Sequence, residues 1–210
     1  MKLFNSTKQW TEWWARRKID WKIHYMNPNH PHRILITEIL KNLKWLSLME
    51  VGCGAGANLV RIVKFFPGRQ VGGIDVNPEA IAFAQTQFTN ALLKVGSTEN
   101  IPFSDYFCDV VLSDMCLIYV GPLKIKKHLE EIGRLARNFV IFCELHSPSV
   151  WQRFMIKWKE GQNVFNWPRL LEKNGFYDIQ AYKIEKEFWP ESDLQQKYGY
   201  IIVARPPKRL

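Results

Sequence analysis

The sequence predicts an α/β protein with an open, doubly wound sheet of seven strands, mostly parallel, with the last strand antiparallel. Short apolar runs alternate with amphipathic helix-like stretches through the first two thirds of the chain. Such alternation requires right-handed crossovers between parallel strands. Two strand-like runs then follow without the further parallel units that a dinucleotide-binding sheet would normally add. A length of 210 residues fits one domain with a sizeable core.

Five apolar runs form the expected parallel part of the sheet. They are rich in Val, Ile, Leu and Phe with little strict alternation, which is typical of strands buried on both faces. In chain order they are residues 46–51, 70–75, 91–96, 108–113 and 138–144. Residues 177–184 and 198–205 read as two strands with no helix between them, which predicts an antiparallel hairpin at the end of the sheet.

The first two crossover helices have end signals in the sequence. Residues 57–66 place their apolar side chains, Val63 among them, on one stripe that stops at a Pro-Gly pair. Residues 77–88 begin with Asn77 as the expected N-cap and with Pro78 at the first helical position.

Two later helices are predicted from the same kinds of signal. Residues 123–136 show helical apolar spacing from Leu123 to Leu135. The stretch "LLEKNGF" predicts a helix that ends with Gly175 just beyond its last residues.

Composition indicates a soluble, cytoplasmic protein. The chain is 47% hydrophobic and 23% charged, its N-terminus lacks a signal-peptide pattern, and no apolar run approaches the roughly 20 residues of a membrane span. The cysteines form no CxxC pair, so we expect reduced, buried thiols and no metal site. They are Cys53, Cys108, Cys116 and Cys143.

The net charge of +9 comes from the two ends of the chain. Residues 1–33 hold seven Lys/Arg and two Asp/Glu, residues 34–150 eleven of each, and residues 151–210 eleven and seven. Basic flanks around a neutral middle favour either an anionic partner or a face of solvated lysines.

The stretch "LMEVGCGAGANL" places three glycines between the first strand and the first crossover helix. Ligands bind at this carboxyl edge in open α/β sheets, and Gly52, Gly54 and Gly56 allow the main chain to approach closely. The pattern fits both G-x-G-x-x-A, the dinucleotide fingerprint, and G-x-G-x-G.

Glu50 decides between these ligands. Its carboxylate would repel a pyrophosphate but would favour a phosphate-free ligand with an ammonium and a sulfonium, such as S-adenosylmethionine. Asp75, nineteen residues beyond Gly56, can accept both ribose hydroxyls in either case.

Together with "VGGIDVNPEAIAFAQ" and "GSTENIPFSDYFCDVVLS", the glycine stretch resembles the class I S-adenosylmethionine-dependent methyltransferases, within them the type 11/type 25 group. The likeness covers roughly residues 34–205 and implies a Rossmann-like sheet whose seventh strand is antiparallel. It divides the chain into an N-terminal helical, Trp-rich basic cap (1–33) and a methyltransferase domain (34–210) with a lid-like insertion around 146–169.

The resemblance implies roles for individual residues. Glu50 and the glycines would cradle the methionine part, Asp75 would hold the ribose, and residues 97–99 would meet the adenine. The family often has an Asp where Ser97 stands, so adenine is expected to depend on backbone groups or on Thr98. The full set of expected cofactor-binding residues is Glu50, Gly52, Cys53, Gly54, Gly56, Asn58, Asp75, Val76, Ser97, Thr98, Glu99 and Asp114.

Methyl transfer is an in-line displacement in which the enzyme chiefly aligns the reactants. An oxygen acceptor also needs a base near the pocket. Asp114 and His146 follow the fourth and fifth strands, and we take them as the candidate catalytic residues. Each has a structural alternative, since Asp114 can cap the next turn and His146 can be an ordinary loop residue.

Acceptor specificity is expected from the two basic, aromatic segments. Trp10, Trp14, Arg17 and Trp21 share one face of a helix that is predicted to run to residues 27–28. Its indoles can serve core packing, stacking on an acceptor, or contact with a membrane surface. His32 can also edge the pocket, and the substrate-contact candidates are Trp14, Tyr25, His30, Arg33, Tyr119 and His146.

Three functions remain open from the sequence. One is a methyltransferase for a small-molecule or glycan acceptor, yielding S-adenosylhomocysteine. The second is a nucleic-acid (RNA) methyltransferase that uses the basic aromatic flanks, although the fourth-strand segment "LSDMCLIYV" lacks N-P-P-Y. The third is a nicotinamide-dependent oxidoreductase or a non-catalytic cofactor-binding module.

Overall fold

A computed structural model describes residues 6–208 and shows one seven-stranded sheet in the order β3-β2-β1-β4-β5-β7-β6. β7 is antiparallel to both of its neighbours, and the remaining pairs are parallel. The strands are β1 (Ser47–Val51), β2 (Gln70–Asp75), β3 (Leu92–Val95), β4 (Cys108–Asp114), β5 (Ala136–Leu145), β6 (Tyr177–Lys183) and β7 (Gly199–Arg205). The predicted fold class is confirmed.

Nine α-helices lie in the described part of the chain. They are α1 (Thr7–Ala15), α2 (Trp21–His24), α3 (Pro31–Lys41), α4 (Ala57–Phe65), α5 (Pro78–Gln85), α6 (Ile125–Leu135), α7 (Val150–Glu160), α8 (Trp167–Lys173) and α9 (Asp193–Tyr198). The expected caps of two helices are present, because the Asn77 side chain accepts from Ala80 N and Gly175 has a left-handed backbone after α8. None of these helices is long and apolar enough to span a membrane.

The sheet is buried on both faces, as the apolar runs predict. Val110 and Leu112 pack into the cluster that includes Leu40 of α3 and Leu59 of α4. Val111 packs on the opposite side with the α6 cluster.

Two side chains depart from the predicted apolar stripes of the helices. Val63 is 39% exposed. Leu123 is 99% exposed, because it lies in the turn before α6 begins.

The last two strands pair antiparallel as predicted, but the expectation that no helix lies between them is wrong. β7 inserts between β5 and β6, and a 3₁₀ turn (Lys186–Phe188) and α9 lie in the connection. The run Ile201–Ala204 is buried, whereas β6 is largely exposed. Burial of the more apolar strand therefore explains why β7 takes the inner position.

The N-terminal segment is two helices instead of the single one predicted. Residues 16–20 break it, and Asp20 then caps α2 by accepting from Ile23 N at 3.0 Å. Trp10 and Trp21 are buried and Trp13 is 44% exposed, in agreement with the predicted face. Residues 1–5 of the expected cap and residues 209–210 of the expected main domain lie outside the described residues.

Candidate active site

A cavity of about 380 Å³ lies at the carboxyl edge of the sheet, under α1 and α2. Its volume is in the range of small-molecule sites. Most of the expected site residues line it, namely Trp14, Tyr25, His30, Arg33, Glu50, Gly52, Cys53, Gly54, Asn58, Asp75, Val76, Ser97, Thr98, Asp114 and Tyr119.

The glycine turn forms the floor of this cavity. Gly52 has φ +72° and Gly54 has φ +50°, in the left-handed region that favours glycine. A Cβ at Gly52 would collide with the Cys116 side chain. The N–H groups of Gly52 and Cys53 both donate to Ile74 O, at 2.8 and 3.0 Å, which ties the turn to the end of β2. Gly56 does not line the cavity and instead begins α4.

Glu50 stands at the mouth of the turn, at the end of β1, and is 2% exposed. Its Oε1 accepts from Asn58 Nδ2 at 2.6 Å, while its Oε2 is buried without a hydrogen-bond partner in the protein. Burial raises the pKa of Glu50 to about 8, with the nearby Asp114 carboxylate acting in the same direction. A cationic group at Oε2 would offset the cost of ionising this carboxyl.

Asp75 ends β2 and is held by the main chain. Its Oδ2 accepts from Gly54 N and its Oδ1 from Asn77 N, each at 2.9 Å. Burial raises the pKa of Asp75, although these backbone hydrogen bonds oppose the shift. The carboxyl is therefore oriented by two fixed donors and lines the cavity.

Asp114 ends β4, and its side chain is only 6% exposed. Its Oδ2 lies 2.9 Å from both His32 Nε2 and Asn58 Nδ2, and 4.0 Å from an Arg33 guanidinium nitrogen. Burial alone would raise the pKa of Asp114, but these neighbours outweigh it and hold the pKa well below its usual range. Such a carboxylate accepts protons poorly, so its surroundings do not favour the predicted role of general base.

The structure places His146 outside the cavity lining, contrary to the sequence prediction. Its Nδ1 accepts from Trp167 N at 3.2 Å, and its ring packs against Tyr200. The segment after β5 pairs with Phe165 at this point, which turns His146 toward the start of α8.

Glu99 also lies away from the cavity. Its carboxylate forms ion pairs with Lys124 at 3.2 Å and Lys127 at 3.5 Å, and these partners hold its pKa below the usual range. The predicted contact of Glu99 with a ligand base is therefore not supported by its position.

Several lining residues were not among the sequence candidates. His128 lies on the buried face of α6, and Gln162 follows the lid-like helix α7. Trp189 stacks on His32 with ring centroids 4.1 Å apart. A histidine at an apolar position of the α6 pattern is a weak signal, and the other two have none that the sequence alone reveals.

Buried polar atoms without partners gather in this cavity. Among the described residues, ten buried side-chain nitrogen and oxygen atoms lack a hydrogen-bond partner, and all except Glu144 Oε2 belong to residues that line it. These nine atoms are Trp10, Trp14 and Trp21 Nε1, Arg33 Nε, His128 Nε2, Glu50 Oε2, Asn58 Oδ1, Asp114 Oδ1 and Gln162 Oε1. Folded proteins rarely leave such atoms unpaired, so their concentration marks a ligand site.

His32, Asp114 and Cys143 bring one potential metal-ligand atom each within 4.8 Å of one another. A ligating thiol must be deprotonated, whereas burial raises the pKa of Cys143 well above its ordinary value. Because His32 already contacts Asp114 directly, we interpret this group as a hydrogen-bonded cluster.

Comparison with known proteins agrees with the family that the motifs suggest. Residues 48–138 match the family model described as a methyltransferase domain. An uncharacterized methyltransferase from Synechocystis is 26% identical over 106 residues, and the match covers 50% of this chain and 49% of that protein. The chain thus spans about half the length of this curated relative.

Solved structures share the fold. A chain of the complex between the Haloferax volcanii Trm112 methyltransferase activator and a methyltransferase superposes with TM-score 0.68 and 18% identity, covering 95% of this chain and 98% of that chain. Geranyl diphosphate C-methyltransferase from Streptomyces coelicolor, in complex with Mg²⁺, geranyl diphosphate and S-adenosyl-L-homocysteine, gives TM-score 0.68 and 14% identity, covering 95% and 97%.

Proposed function

We propose that this chain, which belongs to the class I S-adenosylmethionine-dependent methyltransferases, transfers the methyl group of S-adenosylmethionine to a small-molecule acceptor in the cavity under α1 and α2. Members of one fold differ in their reactions, so the proposal is argued from the site.

The buried, unpaired Oε2 of Glu50 beside the glycine turn carries this proposal. A dinucleotide would bring its pyrophosphate to such a turn, close to a second buried acid at Asp114. A methionine moiety instead presents an ammonium group that can pair with Glu50. The acid at the turn thus favours a phosphate-free cationic ligand.

The other cofactor contacts follow the order of the strands. Asn58 and Glu50 would bind the methionine part at the end of β1, and Asp75 would bind the ribose hydroxyls at the end of β2. The adenine ring would then lie beyond the end of β3, where Ser97 and Thr98 line the cavity. A linear ligand can occupy these positions in sequence because β1, β2 and β3 are adjacent in the sheet.

The acceptor would bind under the aromatic cap. Trp14 and Tyr119 pack with ring centroids 5.4 Å apart, and Trp14 and Tyr25 at 6.0 Å. The unpaired indole N–H groups of Trp10 and Trp14 offer donors beside these apolar faces. This combination suits an aromatic or alicyclic acceptor that carries a hydrogen-bond-accepting group.

S-adenosylmethionine, held by Glu50, Asn58 and Asp75, would supply an electrophilic methyl group: the acceptor lone pair would form the new bond to carbon, and the electron pair of the broken carbon–sulfur bond would stay on sulfur. The chain aligns the acceptor and excludes water. Asp114 is held ionised by its neighbours and His146 lies outside the cavity lining, so neither side chain fits the role of a general base. We therefore infer an acceptor atom that is nucleophilic without either of these two bases, for example a neutral amine, whose extra proton leaves to solvent after the methylated product departs.

A nucleic-acid acceptor is the second candidate, and α7 favours it. Trp151, Phe154 and Trp158 lie at helical spacing on this helix and are 68%, 51% and 50% exposed. Arg153 and Lys157 belong to the same helix. Exposed aromatics among basic residues can stack on bases while the cations contact phosphates.

Calorimetric titration with S-adenosylhomocysteine and with NADH tests the cofactor assignment. We expect binding of S-adenosylhomocysteine alone, whereas preferential binding of NADH would support the oxidoreductase hypothesis. Incubation of a cell extract with isotopically labelled S-adenosylmethionine and the protein should then reveal the acceptor by its mass shift. A labelled RNA in place of a labelled metabolite would establish the second candidate.

A further inference from the structure

We propose that His128 Nε2 accepts a hydrogen bond from the exocyclic amino group of adenine, and so makes the site selective for adenine over hypoxanthine. The inference rests on the proposed function, because it assigns a residue to the base of the bound nucleoside.

His128 reaches the part of the cavity where that base would lie. It belongs to α6, is 2% exposed, and lines the cavity with Gly96, Ser97 and Thr98, which follow β3. With the ribose at Asp75, at the end of the neighbouring β2, the base has to extend toward this group.

The imidazole is fixed at one nitrogen and open at the other. Its Nδ1 lies 2.5 Å from Thr98 Oγ1, and its Nε2 is buried without a hydrogen-bond partner in the protein. When Nδ1–H donates to Thr98, Nε2 carries the lone pair and acts as an acceptor. Burial lowers the pKa of His128 to about 4, although the nearby Glu99 carboxylate opposes this. The ring is therefore neutral near pH 7.

The side-chain acceptors of Ser97 and Glu99, on the loop after β3, are already engaged. Ser97 Oγ accepts from Glu99 N at 3.1 Å, and the Glu99 carboxylate is paired with Lys124 and Lys127 away from the cavity. Among the side chains described here, His128 Nε2 is left to meet an amino group at this end. A histidine that served only packing would not need to leave a buried nitrogen unpaired beside a cavity.

The test compares two ligands that differ in the group at C6 of the base and in the hydrogen on N1. Calorimetric Kd values would be measured for S-adenosylhomocysteine and for S-inosylhomocysteine, in which a carbonyl replaces the amino group. The proteins are the wild type, His128→Leu, His128→Gln, and His24→Leu as a control at an exposed histidine outside the cavity lining.

We expect the wild type and His24→Leu to bind the adenine ligand at least tenfold more tightly than the inosine ligand. His128→Leu should lose this preference by weakening only the adenine ligand, and His128→Gln should restore part of it because its side-chain carbonyl can accept. Equal loss for both ligands, or no loss for either, overturns the proposal.

Nitrogen NMR of the wild-type histidines provides a readout that does not depend on a variant folding. Adding S-adenosylhomocysteine should shift the Nε2 resonance of a His128 protonated at Nδ1, and S-inosylhomocysteine should not. An Nε2-protonated His128 in the complex contradicts the proposal. Wild-type protein that binds neither ligand would instead contradict the proposed function itself.

Discussion

Asn58 Nδ2 lies 2.6 Å from Glu50 Oε1, and the same nitrogen lies 2.9 Å from Asp114 Oδ2. One amide on α4 therefore joins two carboxylates, one next to the last residue of β1 and the other on the last residue of the adjacent strand β4. The pairing uses one oxygen of each acid and leaves Glu50 Oε2 and Asp114 Oδ1 without partners in the protein. Both acids are thus fixed in position with acceptor capacity that a cationic ligand can use.

Binding of S-adenosylhomocysteine should release a proton from Glu50. Burial raises the pKa of Glu50 to about 8 in the protein alone, whereas a cationic ammonium group would favour the carboxylate and lower that pKa. Between the two pKa values the complex binds fewer protons, so affinity should rise from pH 6 toward about pH 8, by up to roughly tenfold per unit. Calorimetry at pH 7 in buffers of different ionisation enthalpy measures the proton release directly.

Glu50→Gln should abolish both the proton release and this pH dependence. The matched control is Glu144→Gln, because burial raises the pKa of Glu144 to about 7 but that residue does not line the cavity. Proton release that survives in Glu50→Gln and disappears in Glu144→Gln would show that the wrong carboxyl has been assigned.

Asp75→Ala should weaken S-adenosylhomocysteine binding at least tenfold. The substitution removes a carboxylate expected to accept from both ribose hydroxyls, and charge-assisted hydrogen bonds of this type are worth about 1.5–3 kcal/mol. Calorimetric Kd values would be compared with those for an analogue that lacks the ribose 2′-hydroxyl. The effect of the substitution should be smaller for that analogue, and unchanged affinity for the full ligand would remove Asp75 from the site.

Asn77→Ser should loosen the attachment of the N-terminal helices α1 and α2 to the rest of the protein without unfolding α5. The Asn77 amide donates to the carbonyls of Trp14 and Arg17 at 2.7 and 2.8 Å, while its own oxygen caps α5. Serine remains a good N-cap but is too short to replace both amide donors. Trypsin should then cleave faster after Arg16, Arg17 or Lys18, in the break between α1 and α2.

Gel electrophoresis over time measures that cleavage. Asn174→Ser provides the control, since Asn174 Nδ2 donates only to Leu170 O within its own helix end. Equal cleavage of the wild type and Asn77→Ser would mean that α1 and α2 are held in place mainly by their aromatic contacts.

The second candidate function makes its own prediction about α7. If α7 stacks on bases, replacing Trp151 and Trp158 by Ala should weaken binding to a single-stranded RNA at least tenfold, since each stack is worth about 1–3 kcal/mol. Affinity of the wild type should also fall steeply between 50 and 200 mM salt. Fluorescence anisotropy measures both effects. A flat salt response, or no change in the double variant, counts against an RNA acceptor.

Local sequence signals were sufficient to predict most strands of the sheet and most of its helices. Buried parallel strands need continuous apolar runs, and Asn77 and Gly175 mark helix ends through their own backbone chemistry. Strand order at the sheet's end escaped prediction because it depends on the relative burial of β6 and β7, a comparison between distant segments. The break in the N-terminal helix likewise has a distant contact, because Asn77, some sixty residues away, donates to the carbonyl oxygens of Trp14 and Arg17.

Some site residues could likewise be predicted from local sequence, and others could not. Glu50 lies next to the last residue of β1 and Asp75 is the last residue of β2, so strand position alone places them at the ligand edge. His146 also follows a strand, but the segment after β5 pairs with Phe165 there. Glu99 forms ion pairs with Lys124, just before α6, and with Lys127 in α6. His128 has no motif, because only the packing of α6 against the loop after β3 brings it to the cavity.

The arrangement of α1 and α2 over the carboxyl edge has a kinetic consequence. These helices are fastened at Asn77 and at Thr7, whose Oγ1 accepts from Gly121 N at 2.9 Å. In the proposed arrangement the nucleoside lies against the edge of the sheet, and the acceptor lies between it and the aromatic side chains of α1 and α2. We therefore expect a compulsory-order mechanism in which the methyl donor enters first and its demethylated product departs last, so that product inhibition is competitive toward the donor and noncompetitive toward the acceptor.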